Sequence, residues 1–349
     1  MTSRPALRLE GLELEGGWKV LKRLDRNPTD TGGHFSVSYK VVNKDGKEAF
    51  LKALDFCKAF QTSDPSRALQ EMTAAYNFER DLLNKCKEHR LSKVITPIAD
   101  GRIDVPGEVT ELRAVMYLIF EMADGNIRQF HDFSRNVDLA WCLRSLHNTA
   151  VALKQLHSRG IAHQDLKPSN VLVFHTEKEF KVSDLGRASD QKVPFVYDDF
   201  QVAGDMGYAP LELFYGYTIT DEFYRRYGVD IYLLGSLIFF YFLDIPTTLA
   251  IKIKLCGHED SPLTNTNFTS DLPYIQKAFY DAVEDLERNM RPHAGKLTDE
   301  LISMVKELCE PDPARRGHPL NRKNTPYSLE RYVSRLDALA RKAEYEISK

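Results

Sequence analysis

The sequence predicts an α+β chain in two lobes, a small antiparallel sheet followed by a larger, mainly helical portion. Two observations carry this reading. The first third alternates short apolar runs with turn signals, as antiparallel strands do. Beyond Gly125 the apolar residues recur instead at helical spacing. A chain of 349 residues with 43% hydrophobic content has material for one large domain or two ordinary ones, each with a packed core.

Taken in order, Trp18–Leu21 reads as a strand. Phe35–Val42 reads as a second, closed by the Asn43-Lys44-Asp45-Gly46 turn, and Ala49–Leu54 as a third. Ser63-Asp64-Pro65 is a cap followed by a proline suited to a first helical turn, and the stripe Leu69, Met72, Tyr76, Leu83, Cys86 follows it. Val94-Ile95 and Val115–Phe120 complete the strands. Leu139, Leu143, Leu146, Ala150, Leu153 and Leu156 then mark one helix face, which Gly160 stops. Val171–Phe174 and Phe180–Ser183 read as a hairpin, and everything from Asp221 onward as helix or loop. The apolar run Ile231–Leu243 is short for a bilayer and reads as a buried core helix. A last helix is expected from Thr325-Pro326, with Leu329, Tyr332, Val333, Leu336, Ala340 and Ala343 packed on its own domain rather than on a partner. The expected divisions are an extension over 1–15, a first lobe over 16–122, a second over 123–320 and a helical tail over 321–349.

Charge and cysteine content exclude some classes. With 47 basic against 50 acidic residues, no basic excess argues for a nucleic-acid or membrane surface. The five cysteines (Cys57, Cys86, Cys142, Cys256, Cys309) lack metal-ligand spacing and read as buried thiols of a reducing compartment. The first residues carry no apolar run of the signal-peptide kind. The expected location is cytoplasmic; oligomeric state is not legible.

The chemistry is concentrated in His163-Gln164-Asp165-Leu166-Lys167-Pro168-Ser169-Asn170, with Asp184-Leu185-Gly186 after it. A carboxylate, an ammonium two residues on and an amide five residues on suit an attack on a nucleotide phosphate. Asp165 can orient and deprotonate a hydroxyl, and Lys167 can neutralise charge on the moving phosphoryl group. Asn170 and Asp184 supply the hard oxygen ligands that Mg²⁺ prefers. The loop falls between a long helix and a hairpin, which would give both carboxylates one rigid platform. Lys52 sits in a strand and alone could point to solvent. Glu79, however, lies on the apolar stripe between Tyr76 and Leu83, where a carboxylate is costly unless paired.

These motifs resemble the catalytic core of the eukaryotic-type serine/threonine protein kinases, by motif order over roughly residues 16 to 320. The resemblance implies a two-lobed protein kinase-like fold, ATP and Mg²⁺, and a protein substrate with a Ser/Thr hydroxyl. It implies that Lys52 holds nucleotide phosphates and pairs with Glu79, Glu71 and Glu88 being the runners-up. Thr31-Gly32-Gly33-His34-Phe35-Ser36 resembles the glycine loop over the phosphates, with Gly33 alone of its three glycines in place. Phe120-Glu121-Met122-Ala123 resembles the adenine hinge, Leu172 the pocket floor, and Phe50 stands where alanine is usual. Gly204 to Glu212 resembles the end of an activation loop, with Glu212 paired to Arg316, and Asp230 opens the buried helix. Lys167 favours serine/threonine over tyrosine.

Two departures bear on function. Gln164 replaces the arginine that normally receives an activation-loop phosphate, so activity is expected without loop phosphorylation. Ser189 and Tyr197 are the candidate switches there. Asp205 replaces the threonine that normally contacts the catalytic aspartate and lysine. The alternatives are a kinase-like scaffold (a pseudokinase) with weak turnover, and a kinase of a small-molecule hydroxyl.

Overall fold

The computed structural model describes residues 4–25, 36–107, 113–131, 137–174, 179–218, 222–256 and 267–347. The chain divides into two compact units, Met1–Asp124 and Gly125–Lys349.

Among the described residues the first unit has six strands: β1 (Glu13–Leu14), β2 (Trp18–Arg23), β3 (Ser36–Val42), β4 (Glu48–Leu54), β5 (Pro97–Asp104) and β6 (Ala114–Glu121). They form one sheet in the order β1-β2-β3-β4-β6-β5, and every pairing is antiparallel. Because side chains alternate along a strand, the sheet has two distinct faces. One carries Val37, Tyr39, Val41, Leu51, Ala53, Tyr117 and Ile119, packed with Ala6 and Leu9 into a single cluster. Tyr39 donates its hydroxyl proton to the Ala6 carbonyl at 2.7 Å, so the first residues belong to this core. The other face carries Ser38, Lys52 and Leu118, which are neighbours in register.

Helix α1 (Pro65–Glu88) begins where its cap predicts: Asp64 accepts the Arg67 N–H at 3.1 Å. Met72, Tyr76, Leu83 and Cys86 are buried along it, while Leu69 is half-buried. The Tyr76 hydroxyl reaches the Tyr117 carbonyl at 3.3 Å, tying the helix to the sheet. The strand expected at Val94-Ile95 is not one. Both residues are buried in the turn after α1, and Val94 forms only an isolated bridge. The strand is β5, which starts at Pro97. As an edge strand it has one neighbour, so it tolerates the proline and exposes Ile98, Asp100, Arg102 and Asp104. At Gly101 a Cβ would lie 2.5 Å from the Tyr117 hydroxyl, which explains a glycine inside a strand.

The second unit contains β7 (Gly125–Asn126), α2 (Ile127–Phe130), α3 (Leu139–His157), β8 (Ile161–Ala162), β9 (Val171–Phe174), β10 (Glu179–Val182), β11 (Ser189–Asp190), α4 (Glu222–Leu243), α5 (Thr247–Cys256), α6 (Phe268–Ala294), α7 (Thr298–Leu308) and α8 (Glu330–Ile347). Asp138 caps α3 by accepting the Trp141 N–H at 3.0 Å, and Gly160 closes the following turn with φ 72°. The β9–β10 hairpin is as expected, with β7 added at the β9 edge. Helix α4 is long and apolar enough to cross a membrane by length and composition, yet 83% of the apolar window is buried inside the protein, as a core helix requires. Gly235 is part of that packing, since a Cβ there would meet Cys309 Sγ and Leu308.

Helix α8 packs along α3, its own unit, as expected. Arg144 of α3 bonds Asp337 at 3.0 Å and Glu344 at 2.9 Å. The helix starts at Glu330, later than Thr325-Pro326, which instead form a turn closed by Ser328 N–H on the Thr325 carbonyl at 3.0 Å. Cys57, Cys86, Cys142 and Cys309 are buried free thiols, whereas Cys256, at the end of α5, is exposed.

Candidate active site

In the first unit the period-two alternation that buries Leu51 turns Lys52 to the opposite sheet face. There Glu79 of α1 meets it: Lys52 Nζ donates to Glu79 Oε1 at 2.7 Å and Oε2 at 2.9 Å. Glu79 is 8% exposed, so the carboxylate is desolvated and its charge is answered by the ammonium. Glu71 is instead paired with Arg67 at the surface, and Glu88 is exposed. Phe50 and Phe120 are register partners on the same face, ring centroids 6.5 Å apart. Glu121, Met122 and Ala123 follow, half-buried. Gly32, Gly33 and Phe35 lie outside the described residues.

In the second unit the loop between β8 and β9 assembles the polar cluster. Asp165 is 7% exposed. Its Oδ1 accepts the Asp205 N–H at 2.8 Å, and its Oδ2 faces Lys167 Nζ at 3.3 Å. Asn170 Nδ2 donates to the Asp165 carbonyl at 2.7 Å. That contact commits the amide nitrogen to the loop. The Ser183 N–H bonds the Asn170 carbonyl at 2.9 Å, so Asp184 is held next to Asn170 by the hairpin itself. Asp184 adopts φ 62°, a left-handed conformation that aspartate tolerates better than most residues. Leu172 is half-buried in β9. Burial pushes the Asp165 carboxyl above the ordinary aspartate range; the charge of Asp184 adds to this and Lys167 opposes it.

The loop is braced from below by Asp230 of α4, which has no exposed surface. Its carboxylate accepts the N–H groups of His163 at 2.8 Å and Gln164 at 2.7 Å, and meets His157 Nε2 at 2.7 Å. His163 Nδ1 accepts the Asp165 N–H at 3.2 Å while Nε2 faces the Ser183 carbonyl at 3.0 Å, so the ring proton sits on Nε2. The imidazole therefore links the two acidic loops through their backbones.

The segment after Asp184 returns to the same loop. At Gly204 a Cβ would lie 2.3 Å from the Gln164 carbonyl and 2.9 Å from Asp165 Oδ1, so only glycine lets the chain pass. Asp205 then reaches Lys167 Nζ with Oδ2 at 3.3 Å, while Oδ1 accepts the Gly207 N–H at 2.9 Å. Thus Lys167 is shared by two carboxylates. Glu212 and Arg316 pair at 2.6 Å, both almost without exposed surface, and Arg316 also bonds the carbonyls of Glu310 and Gly228. Ser189, read from sequence as a candidate switch, has no exposed surface, and its hydroxyl is held between Gln164 and Asp198. One contributor was missed, the steric need at Gly204, which leaves no compositional signal because it depends on a chain segment forty residues away. The position of Asp205 was read from the resemblance, but not that aspartate would make both contacts.

A family model described as protein kinase domain matches residues 32–328, most of the chain. The chain belongs to the protein kinase domain family. Among curated relatives of this protein kinase domain, the probable serine/threonine-protein kinase fhkC of Dictyostelium discoideum is 29% identical over 317 residues, covering 88% of this chain and 44% of the relative. The probable cell division control protein 7 homolog 2 of Encephalitozoon cuniculi is 30% identical over 162 residues, 45% of this chain and 37% of the relative. Cyclin-dependent kinase F-3 of Oryza sativa subsp. japonica is 25% identical over 241 residues, 66% of this chain and 53% of the relative. The chain therefore spans less than half the length of the first two of these relatives.

Proposed function

We propose that this chain is an ATP-dependent protein kinase that transfers the γ-phosphoryl group to serine or threonine hydroxyls, and that it does so without activation-loop phosphorylation. The observation that carries this is the cluster around Asp165: a buried carboxylate with one oxygen fixed by the Asp205 N–H and the other facing an ammonium. Asp165 orients the substrate hydroxyl and takes its proton as the new O–P bond forms and the bond to the ADP oxygen breaks. Its raised pKa suits a base that must accept a proton and then release it. Lys167 neutralises charge on the transferring group, and Asp205 holds Lys167 in place. Lys52, fixed by Glu79, holds nucleotide phosphates. Asn170 Oδ1 and the Asp184 carboxylate would hold Mg²⁺, a set of hard oxygens that fits an ion taking its remaining ligands from phosphate and water. Bound there, Mg²⁺ would supply charge neutralisation at the phosphates. Phe120–Ala123 and Leu172 would contact adenine.

The contacts of Asp205 remove one ground for the scaffold alternative, because aspartate grips both groups expected of the usual threonine. A cytoplasmic location is proposed on the free thiols, which suit a reducing compartment. The test is labelled ATP with Mg²⁺ and a generic protein substrate. Asp165→Asn should lower transfer by about 10²–10⁴-fold, and unchanged turnover would remove the assignment.

A further inference from the structure

A buried polar chain connects the loop that carries Asp165 to helix α4 by a route separate from Asp230. It starts at Gln164, the residue before Asp165. Gln164 has φ 63°, an unusual conformation for a glutamine, and its side chain leaves the loop toward β11. Nε2 donates to Ser189 Oγ at 2.6 Å and to the Arg187 carbonyl at 3.3 Å. Ser189 Oγ in turn donates its only proton to Asp198 Oδ1. The other Asp198 oxygen accepts the Phe195 N–H at 2.8 Å. Arg226 of α4 closes the chain: Nη1 lies 3.2 Å from Asp198 Oδ1 and Nη2 donates to the Asp198 carbonyl at 3.3 Å. The side chains of Arg226 and Asp198 are 10% and 14% exposed. Next to them Arg187 lies over the Tyr197 ring at 4.1 Å.

We infer that Asp198 and Arg226 are positioning residues for Asp165, acting through Ser189 and Gln164, and that the Asp198 carboxylate is the built-in negative charge that orders the 186–200 segment. This rests on the reading of Asp165 as the base. The physical argument is one of satisfaction. A loop segment is ordered by a modification when an added phosphate gives a basic side chain a partner. Here the guanidinium that could receive such a phosphate is already neutralised by an encoded aspartate, at nine-tenths burial. Each link also has a defined direction, because the Gln164 amide can only donate from Nε2 and Ser189 has one proton to give. Removing the Asp198 charge leaves Arg226 buried without its partner and frees Ser189 to rotate. The effect arrives at Gln164, whose backbone is continuous with Asp165, and displacements of about 1 Å at a reacting group cost up to about 10²-fold in rate.

The experiment combines kinetics with hydrogen exchange on the full chain after phosphatase treatment. The variants are Asp198→Asn, Asp198→Ala, Arg226→Met, Arg226→Lys and the exposed neighbour Asp199→Ala. Exchange of peptides covering 186–200 needs no activity, so it decides the ordering role even if the parent transfers no phosphate. Asp198→Ala and Arg226→Met should exchange at least tenfold faster there and match the parent in the first unit. Their kcat should fall about 10- to 100-fold with KM for ATP within twofold. Arg226→Lys should recover much of the loss, Asp198→Asn should fall between, and Asp199→Ala should match the parent. The double variant Asp198→Ala/Arg226→Met should be no slower than the slower single. Unchanged exchange in Asp198→Ala overturns the ordering role. Faster exchange with unchanged kcat in an active parent overturns the positioning role, as does a loss confined to KM.

Discussion

Lys52→Met separates what the Lys52–Glu79 pair does for the fold from what it does for the chemistry. The substitution keeps the length of the side chain but removes the ammonium that bonds both Glu79 oxygens, at 2.7 and 2.9 Å. Glu79 is then left 8% exposed on the sheet-facing side of α1. Removing one partner of a fully buried pair costs about 3–5 kcal/mol. The Lys52 side chain is 27% exposed and the Glu79 side chain 11%, so water already screens part of the interaction. A cost of about 1–3 kcal/mol is expected, between the surface and fully buried limits. That corresponds to a fall in Tm of roughly 3–10 °C. Glu79→Gln should cost less, because its amide oxygen still accepts from Lys52. The double variant Lys52→Met/Glu79→Met should regain most of the lost stability, since well-packed apolar side chains can replace a buried pair at little cost. Phosphate transfer should stay lost in Lys52→Met and in the double variant. Differential scanning calorimetry and a transfer assay on the parent, Lys52→Met, Glu79→Met and the double variant complete the cycle. If Lys52→Met melted with the parent, or if the two single losses simply added in the double variant, the pairing argument would fail.

Three further outcomes follow. Asp165 has a folded pKa above its unfolded value, so the folded state disfavours its charged form and binds the proton more tightly. Any stability this group contributes is present at low pH and lost as pH rises through the folded value. Asp165→Asn should therefore melt at or above the parent at pH 7, with the gap closing toward pH 4 or below; a lower Tm at pH 7 would contradict the sign. Asp205→Ala keeps the N–H that holds Asp165 but frees Lys167 from one of its two carboxylates, and kcat should fall about tenfold with KM for ATP unchanged. Phosphatase treatment should leave the rate of the parent intact, and Ser189 should carry no phosphate by mass spectrometry, because its hydroxyl has no exposed surface.

Much of the fold was legible because the signals were periodic. Helix α1 followed from its Asp64 cap and apolar stripe, and α4 from a continuous apolar run. For Glu79 the sequence carried a physical need, since a carboxylate on a buried stripe requires a cation; that Lys52 is the partner was implied by the family resemblance. The Asp165 loop was legible by motif. Strand β5 was not, because an edge strand with a leading proline, an internal glycine and exposed alternate residues carries almost no hydrophobic signal. The burial of Ser189 was hidden for a different reason. A short polar segment becomes core only when Gln164, Asp198 and Arg226 converge on it, and nothing local announces that.

The most direct measurement is transfer of label from γ-labelled ATP, with Mg²⁺, to a protein substrate, followed by phosphoamino-acid analysis, for the parent and for Asp165→Asn. The account predicts phosphoserine or phosphothreonine from the parent and a loss of about 10²–10⁴-fold in the variant, with nucleotide binding retained. No transfer from the parent under Mg²⁺ or Mn²⁺, or equal transfer from both proteins, would contradict it.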